Sequence, residues 1–434
     1  MRILLCAHEF SPAQGSECAL GWNVAREMAK LHDVLVLSAP GSQISQPTGS
    51  AYADAWSNYC RDKGKPENLD VIFLPYTGLS LLLAKLNGLL FSSKNASIGN
   101  RFLYNIALKG WLKSAYHYSV RHDIDLVHQL TPIAFYCYGK WAKTKKPFFW
   151  GPVGGMEELP KSFVRACDMK NKIIETARNA SISLHLGCSQ KLRKTIKAAS
   201  WIFAISQADR NYIDGVAPGK SSLMIDSAPP SDLPARVRKW TGRKRLHLVW
   251  SGRNEYRKMI PYLLSSIAHY SIRDHVQLSV LGSASNNFDW RKLCTTLGLD
   301  DIVNWEGPLE YRKALMFMSE ADVFVHTSIR EAASHVILEA LGLGLPVICH
   351  ASGGMDIAVD DTCGIKVPYI SPTESIVGFQ NAIYQFVTNR DLLPKLSAGA
   401  IARANQLSWA KKVQTISGIY SSTTIGAKRG DIHF

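Results

Sequence analysis

The chain has 434 residues, of which 46% are hydrophobic and 20% charged, a composition typical of globular proteins and unlike that of disordered chains. This length predicts roughly two to three domains. Lys and Arg outnumber Asp and Glu by 50 to 35, and residues 1–217 carry 26 of the basic and 16 of the acidic residues. The basic first half indicates an anionic partner, with a simple solubility bias as the alternative.

The nine cysteines are dispersed and include no C-x-x-C pair, which favours buried thiols in a reducing compartment over a disulfide framework or a zinc site. The apolar run at residues 3–7 has the length of a strand and stops at His8, so it does not predict a signal peptide. The longest apolar stretch, residues 79–91, is interrupted by Lys85 and Asn87 and is too short to span a bilayer. We therefore expect a cytoplasmic protein, either free or peripheral on the inner face of the membrane.

The first half begins with a strand, a glycine-containing turn, a helix and a second strand. The strands are indicated by apolar runs at residues 2–7 and 34–37, and the helix by apolar residues at helical spacing, Leu20, Val24, Ala25 and Met28. This order is the β-α-β unit of a parallel sheet. Further strands are predicted at residues 71–74, 126–128, 148–150 and 201–205.

The interval 218–245 is rich in proline, serine and basic residues and is predicted to connect two domains. After it the alternation restarts. Strands are predicted at residues 246–251, 276–281, 302–305, 323–327 and 346–349, and helices at 261–269, from 311 and from about 334. The sequence therefore predicts two consecutive doubly wound α/β domains.

The strand at residues 323–327 leads into a loop that contains Glu331 and then a helix that contains Glu339. Ser334 is placed to be the N-cap of that helix. A helix N-terminus at the carboxyl edge of a parallel strand is a seat for phosphate, and Glu339 is one turn inside it. The alternative is that both glutamates are solvated residues flanking a helix.

A second element supports a phosphate site. Gly252 and Arg253 close the first strand of the second half, and Lys258 follows five residues later. Two fixed cations at this edge would stabilise negative charge that develops on a leaving diphosphate. A solvated basic helix start is the alternative.

The second half resembles retaining glycosyltransferase family 4, whose signature is a glutamate, seven residues and a second glutamate, here Glu331 and Glu339. The other matching elements follow in the family's order: Gly252, Arg253 and Lys258; Gly282-Ser283; Trp305-Glu306-Gly307; Ala321-Asp322-Val323; Gly344-Leu345-Pro346-Val347; Gly353-Gly354; and Gly364. The resemblance implies an α/β fold of GT-B type, in which two Rossmann-like doubly wound domains face a central cleft.

The resemblance also implies roles for residues. Arg253 and Lys258 would hold the donor diphosphate, Glu339 the ribose and Glu331 the donor sugar. The backbone amides after Glu331, at Ala332, Ala333 and Ser334, would help to cradle the donor. The family has glycines around an aromatic residue at these three positions, so the donor sugar does not follow from the resemblance.

The first half resembles the same family more loosely. Gly15 lies in a turn at the position of the family's glycine-rich loop, and His128 at the strand end where the family has a histidine near the reacting sugar. A histidine that only caps the strand is the alternative for His128. Gly154 and Gly155 follow another strand and are predicted to line an acceptor cleft, with a plain tight turn as the alternative.

Basic residues gather at 161–172 and 191–197, and with the apolar stretch 79–91 they predict a face for an anionic membrane surface. The basic residues are Lys161, Arg165, Lys170, Lys172, Lys191, Arg193, Lys194 and Lys197. A solvated basic helix is the alternative. A nucleic-acid partner is not expected.

The predicted function is a hexosyl transfer with retained configuration from a nucleotide-sugar donor to a hydroxyl of a glycan or lipid-linked acceptor, in cell-surface polysaccharide or glycolipid assembly. No cofactor is expected, and no metal, because the second half, which holds the predicted donor site, has no Asp-x-Asp motif for a sugar-nucleotide metal site. Arg253 and Lys258 would carry the charge instead. A nucleotide-sugar epimerase of the same fold, a phosphorylase-like enzyme and a non-catalytic polyanion-binding protein are the alternatives.

The predicted domains are 1–225 for the acceptor, 226–408 for the nucleotide sugar, and a C-terminal helix, 409–434, that returns to the first domain. Trp409, Val413, Ile416 and Tyr420 form a stripe at helical spacing that requires burial, while Lys411 and Lys412 are expected to face away from it. Packing on the second domain is the alternative.

Overall fold

The computed structural model describes residues 1–41, 49–90, 98–240, 244–253, 255–282 and 289–429, with the backbone alone for 98–101 and 425–429. It consists of two compact units. The first comprises Met1–Met156, Leu184–Asp226 and Trp409–Phe434, and the second comprises Glu157–Ser183 and Ser227–Ser408.

The strands and helices alternate along the chain, as the sequence predicts. The strands are β1 (Arg2–Ala7), β2 (Asp33–Ser38), β3 (Leu69–Phe73), β4 (Leu126–Thr131), β5 (Phe148–Val153), β6 (Trp201–Ala204), β7 (Ser221–Leu223), β8 (Leu246–Ser251), β9 (Val276–Leu281), β10 (Val303–Gly307), β11 (Val323–His326), β12 (Val347–His350) and β13 (Gly364–Val367). The helices are α1 (Glu17–Met28), α2 (Ala51–Lys63), α3 (Gly78–Leu90), α4 (Ile98–Ser119), α5 (Lys161–Ala166), α6 (Met169–Cys188), α7 (Gln190–Ala198), α8 (Gln207–Val216), α9 (Ile260–Ile267), α10 (Trp290–Thr296), α11 (Tyr311–Ser319), α12 (His335–Gly342), α13 (Gly353–Ala358), α14 (Pro372–Thr388), α15 (Leu392–Gln406) and α16 (Trp409–Arg429).

Each unit is built on one parallel sheet. The first sheet has the order β3-β2-β1-β4-β5-β6-β7 and the second the order β10-β9-β8-β11-β12-β13. Strands such as β1 and β8 are almost wholly apolar because both faces of a parallel sheet are covered by helices. The order of strands reverses between β1 and β4 and between β8 and β11, so each sheet has a crevice at the carboxyl ends of those two strands. The predicted pair of doubly wound α/β folds is confirmed.

The predicted connection at 218–245 needs correction. Its first part contains β7, the last strand of the first sheet, which pairs with β6 through Ile202 and Ser221. The two units meet in sequence between Asp226 and Ser227. The strand was missed because it is three residues long and two of them are serines.

The first predicted domain also includes residues that the structure groups with the second unit. Glu157–Ser183 belongs to the second unit. The physical reason is an apolar cluster in which Leu159 and Phe163 pack with Tyr262 and Ile329.

The last helix, α16, groups with the first unit. Val413, Ile416 and Tyr420 are buried in the apolar core of that unit. One expectation was wrong, because Lys412 does not face away: it is 7% exposed, and its ammonium donates a hydrogen bond to the Ile225 carbonyl at 3.0 Å.

Candidate functional site

The candidate site of the second unit lies where its strand order reverses. Strands β8 and β11 are neighbours, with Leu248 opposite Val323. The segment after β8 holds Lys258, and the loop after β11 holds Glu331. Because both segments leave the carboxyl ends of adjacent parallel strands, residues 73 positions apart in sequence are brought to one crevice.

Lys258 and Glu331 form an ion pair between Nζ and Oε1. The same carboxylate oxygen accepts a hydrogen bond from Nη1 of Arg257 at 2.9 Å. The side chains of Lys258 and Glu331 are only 10% and 13% exposed. Two cations therefore share one largely buried carboxylate, and their attraction to it is screened less by water and salt than in an exposed ion pair.

The electrostatics of Glu331 follow from these contacts. Burial alone would raise the pKa of Glu331, but the hydrogen bond from His326 and the charges of Lys258 and Arg257 outweigh it and hold the pKa well below its ordinary value. Burial and the neighbouring Lys258 charge lower the pKa of His326 to about 4. At neutral pH the site thus contains an ionised glutamate and an uncharged histidine.

The backbone that carries Lys258 is fixed by the loop after β11. The Thr327 hydroxyl donates to the Lys258 carbonyl at 2.6 Å and accepts from the Trp250 indole at 3.1 Å. The Ile329 amide donates to the Arg257 carbonyl at 2.8 Å. Hydrogen bonds to the backbone carbonyls of residues 257 and 258 therefore connect the two segments. They fix the backbone of Lys258 independently of its side chain.

Arg253 lies at the same edge but outside this cluster. Its side chain is 80% exposed and Nη1 is 3.7 Å from Oε1 of Glu255. Glu255 in turn pairs with Nε of Arg257 at 2.8 Å. Arg253 is thus connected to the Lys258–Glu331 pair through Glu255 and Arg257, and most of its side chain is exposed to solvent.

Gly252 is held close to Gly282, the glycine at the end of β9. An ideal Cβ on Gly282 would lie 1.7 Å from the Gly252 carbonyl oxygen, and the φ of Gly282 is 137°. Only glycine permits this approach. Ser283, the second residue of the predicted Gly-Ser turn, lies outside the described residues.

Ala332, Ala333 and Ser334 lead from Glu331 into α12, as predicted. Ser334 is the N-cap, but its hydroxyl makes no cap hydrogen bond and instead lies 3.1 Å from Nε2 of His326. A glycine pair supports this loop. A Cβ on Gly354 would meet the Ala332 carbonyl oxygen at 1.9 Å, so the glycine lets α13 pack directly against the loop.

Glu339 lies on α12, away from the Glu331 cluster, and forms a hydrogen bond with Tyr311. Burial raises the pKa of Glu339, although the Tyr311 hydrogen bond opposes the shift. Because a partly buried carboxylate in the first turns of a helix can accept hydrogen bonds from a diol, the position suits the predicted ribose contact.

A second charge network in this unit was not predicted. The Glu175 carboxylate is fully buried and pairs with Nη2 of Arg330 at 2.7 Å and Nη1 of Arg178 at 3.0 Å. The Tyr256 hydroxyl donates to it as well. Since Arg330 precedes Glu331 and Tyr256 precedes Arg257, the network anchors both segments of the site.

In the first unit, two carboxylates lie in the segment after β1 that contains the predicted Gly15 turn: Glu9 follows the strand, and Glu17 begins α1. Glu17 accepts a hydrogen bond from the Ile133 amide at 3.2 Å. Burial, reinforced by the charge of Glu9, raises the pKa of Glu17 well above its ordinary value. Gly15 itself is exposed, and a Cβ there would meet nothing within 4 Å.

His128 does not have the surroundings of a catalytic base. It is 0% exposed within β4, and Nε2 donates to the Gly151 carbonyl at 2.6 Å. Nδ1 therefore accepts, and its donor is the Tyr420 hydroxyl at 2.5 Å. Burial lowers the pKa of His128 to about 4. We assign it a structural role, which is the alternative that the sequence left open.

Packing and backbone conformation explain why glycine occupies positions 154 and 155, which the sequence predicts to line the acceptor cleft. Gly154 pairs through its backbone with Ile133 and Phe135, and a Cβ on it would lie 2.8 Å from the Ile205 side chain. Gly155 has a φ of 97°, a conformation that favours glycine. Gly154 is therefore tightly packed just after the end of β5, and Gly155 lies in an exposed segment beyond it.

The predicted basic face does not form one surface of one unit. Residues 161–172 belong to the second unit and residues 191–197 to the first. Among the described residues, no group of three or more His, Cys, Asp and Glu side chains could hold a metal ion. No helix in the described part of the chain has the length and hydropathy needed to cross a membrane.

Comparison with known proteins identifies the second unit. Residues 237–403 match the family model of glycosyl transferases group 1. The D-inositol 3-phosphate glycosyltransferase of Streptomyces bingchenggensis is 26% identical over 235 residues, covering 51% of this chain and 50% of that protein. The chain thus spans about half the length of the curated relatives it matches.

Two solved structures share the fold over almost the whole chain. Sucrose-phosphate synthase from Thermosynechococcus elongatus has a TM-score of 0.57 at 16% identity, with 97% of this chain and 98% of that chain covered. The Anabaena protein HepE in complex with UDP has a TM-score of 0.55 at 15% identity, with 97% and 100% covered.

The matched residues include Lys258, Glu331 and Glu339, so the family match falls on the site described above. The predicted GT-B fold is confirmed, the match supports the predicted class, a glycosyltransferase, and family 4 is compatible with it. Residues 237–403 are therefore similar to glycosyl transferases group 1, within a chain of GT-B fold.

Proposed function

We propose that this protein transfers a sugar from a nucleotide-sugar donor to a hydroxyl of a glycan or lipid-linked acceptor, with retention of the anomeric configuration. The observation that carries the proposal is the buried cluster of Lys258, Arg257 and Glu331 at the strand-order reversal, beside the N-terminus of α12. Such a crevice is where open α/β sheets bind nucleotides.

The residues of the second unit have distinct roles in this proposal. Lys258 and Arg253 bind the donor diphosphate, helped by Arg257, which the sequence alone did not indicate. The N–H groups at residues 332–334 and the start of α12 point their partial positive charge at the same phosphates. Glu339 accepts hydrogen bonds from the ribose, and Glu331 accepts them from the donor sugar.

Glu331 also has an electrostatic role toward the two neighbouring cations. Its carboxylate neutralises the buried Lys258 and the partly buried Arg257. A diphosphate that enters the crevice supplies a competing negative charge. Glu331 is then free to turn one oxygen to the sugar hydroxyls while the cations remain satisfied.

The chemistry proposed is front-face displacement. The bond from the anomeric carbon to the diphosphate oxygen breaks, the acceptor oxygen attacks on the same face, and the leaving diphosphate takes the acceptor proton. Fixed cations at the leaving group stabilise the charge that builds up in this transition state. The same cations replace a metal ion in the proposal, which needs no cofactor.

The proposed donor is a nucleoside diphosphate sugar, supported by the Anabaena neighbour that was solved with UDP. Thermal shift with UDP-, GDP-, ADP- and TDP-sugars tests the choice of base. One donor should raise the melting temperature of the wild type and leave Lys258→Ala unchanged. Failure of all four to stabilise the wild type would refute the donor-site assignment and favour a polyanion-binding protein.

The names of the curated relatives support a second class of acceptor, a phosphorylated polyol. The curated relatives are named for D-inositol 3-phosphate, which is a small phosphorylated polyol. Transfer from the stabilising donor should therefore be measured with both lipid-linked glycan and inositol phosphate acceptors. Conversion of the donor sugar without any acceptor would instead indicate an epimerase.

A further inference from the structure

Helix α3 of the first unit buries small and polar residues and exposes leucines, the reverse of an ordinary surface helix. Its buried positions are Ser80, Ala84 and Asn87. Its exposed large apolar side chains are all leucines, Leu79 at 69%, Leu82 at 62%, Leu86 at 40%, Leu89 at 79% and Leu90 at 60% exposed, and its one charged residue, Lys85, is exposed as well. Four of them repeat at i, i+3, i+7 and i+10 and so form one stripe along the helix.

Helix α4 packs on α3 through small residues. A Cβ on Gly110 would lie 2.6 Å from the Ser80 Cβ, so the two backbones approach closely there. Small residues at the contact and leucines outside are the pattern of helices that pack in an apolar solvent. In water the leucines would be expected to face the contact instead.

The exposed stripe of α4 changes character along its length. Phe102 is 66% exposed and Ile106 39% exposed. The next members of the stripe, Lys109 and Lys113, are exposed lysines. Since Gly110 lies against Ser80, these lysines are level with the first turn of α3, whereas Phe102 and Ile106 are level with its later turns.

The charge of this region has one sign. The sequence contains no Asp or Glu between Asp70 and Asp123, a stretch in which six Lys and Arg residues occur. Two helices that expose apolar stripes and whose charged residues are all cations complement an anionic, amphipathic partner. An acidic groove of a soluble protein would match the lysines but not a leucine stripe of this length.

We propose that α3 and α4 dock on an anionic lipid bilayer, with the leucine stripe of α3 and Phe102 and Ile106 of α4 in the interfacial region and Lys109 and Lys113 at the phosphates. Helix α3 has 13 residues, too few to span the hydrocarbon core, so it lies in the interface. The proposal goes beyond the proposed function, because vesicle binding requires neither donor nor turnover. It keeps the apolar stretch 79–91 of the predicted membrane face and proposes Lys109 and Lys113 in place of the basic residues at 161–172 and 191–197.

The test is cosedimentation of the full chain with vesicles of phosphatidylglycerol and phosphatidylcholine, and with phosphatidylcholine alone. Leu82→Ser/Leu86→Ser/Leu89→Ser should lower the partition coefficient about tenfold or more. Lys109→Gln/Lys113→Gln should lower it about fivefold for each lysine, and only on anionic vesicles. Hydrogen exchange of α3 amides should slow when vesicles bind.

Two control variants match these changes elsewhere. Met169→Ser/Ile173→Ser/Leu184→Ser removes three exposed apolar side chains from α6, and Lys191→Gln/Lys194→Gln removes two exposed lysines from α7. Both controls should bind like the wild type. The lysine variants keep the test valid if the leucine variant fails to fold, which its circular dichroism would show.

Other outcomes overturn the proposal. If the controls lose binding and the α3 and α4 variants do not, the membrane-binding surface lies on α6 and α7 instead. If the wild type does not bind anionic vesicles at low salt, a bilayer is excluded as the partner of this face. Self-association of the wild type that the leucine substitutions abolish, with vesicle binding unchanged, would identify the face as an interface between copies of this chain.

Discussion

The ammonium of Lys258 and the carboxylate of Glu331 form an ion pair across the reversal point of the second sheet. Each lies on a segment that follows one of two adjacent strands, and each segment is anchored by hydrogen bonds to the other. The pair is therefore fixed by the backbone of both segments. In the proposed function, the donor diphosphate competes with the Glu331 carboxylate for this cation.

Replacing Lys258 with alanine should lower kcat by on the order of 10²–10³, because the leaving diphosphate loses one fixed cation. Steady-state transfer with the stabilising donor measures this. Lys313→Ala, which removes an exposed lysine on α11, is the matched control and should behave like the wild type. Equal turnover in Lys258→Ala and the control would show that the pair with Glu331 is purely structural.

Replacing Glu339 with alanine should weaken the binding of the nucleoside diphosphate about tenfold, because a charged hydrogen bond to the ribose is lost. Titration calorimetry with the free diphosphate measures the affinity. Tyr311→Phe keeps the carboxylate and removes only its partner in the protein, so its affinity should stay near that of the wild type. If Glu339→Ala binds the nucleoside diphosphate with wild-type affinity, the carboxylate bonds only Tyr311 and does not contact the ribose.

Replacing Gly354 with alanine should disturb the donor loop, because the new Cβ would lie 1.9 Å from the Ala332 carbonyl oxygen. We expect a lower melting temperature and at least a roughly tenfold loss of donor affinity, since displaced donor groups cost much in binding and catalysis. Gly215→Ala on α8, where nothing lies within 4 Å, is the control and should be neutral or slightly stabilising. A Gly354→Ala variant with wild-type affinity would separate the loop from donor binding.

Glu17 should make the protein less stable as the pH rises. Its pKa is raised in the folded state, so above the ordinary pKa of a glutamate the folded chain binds more protons than the unfolded chain, and stability falls with increasing pH. Glu17→Gln removes this effect and should melt at a higher temperature than the wild type at pH 8, with a smaller difference at pH 5. Exposed Glu67→Gln is the control. A difference that grows as the pH falls would contradict the assigned direction.

The sheets could be predicted where strands are buried on both faces. The bounds of β8 and β9 agree with the predicted runs 246–251 and 276–281, because four of the six residues in each strand are apolar and buried. The short strand β7 gave no such signal. Residues 157–183 were assigned to the wrong unit because periodicity shows that a helix is amphipathic, and does not show which sheet its apolar face meets.

The site was only partly predictable for a related reason. Spacing along the chain indicated Lys258 and Glu331, since both follow strands. Arg257 was missed because two consecutive basic residues look alike in sequence, and only the geometry of the short helical turn at 256–258 shows that both reach Glu331. Glu175 lies 155 residues from Arg330, and no local pattern connects them.

His128 gives the last prediction, because a catalytic and a structural histidine respond differently to substitution. His128→Phe keeps the bulk of the ring but leaves the Tyr420 hydroxyl and the Gly151 carbonyl without their partner. Each unsatisfied buried group costs about 1–3 kcal/mol, so the melting temperature should fall by several degrees.

Tyr420→Phe removes one of the same two hydrogen bonds and should cause a smaller fall, and the double variant should lose less than the sum of the two. Measured well below the melting temperature, kcat should stay within about threefold of the wild type in all three variants, whereas loss of a general base costs about 10²–10⁴. A kcat that collapses in His128→Phe but is normal in Tyr420→Phe would return His128 to the catalytic residues. Parallel, modest changes in both would establish that the histidine joins β4 to the last helix of the chain.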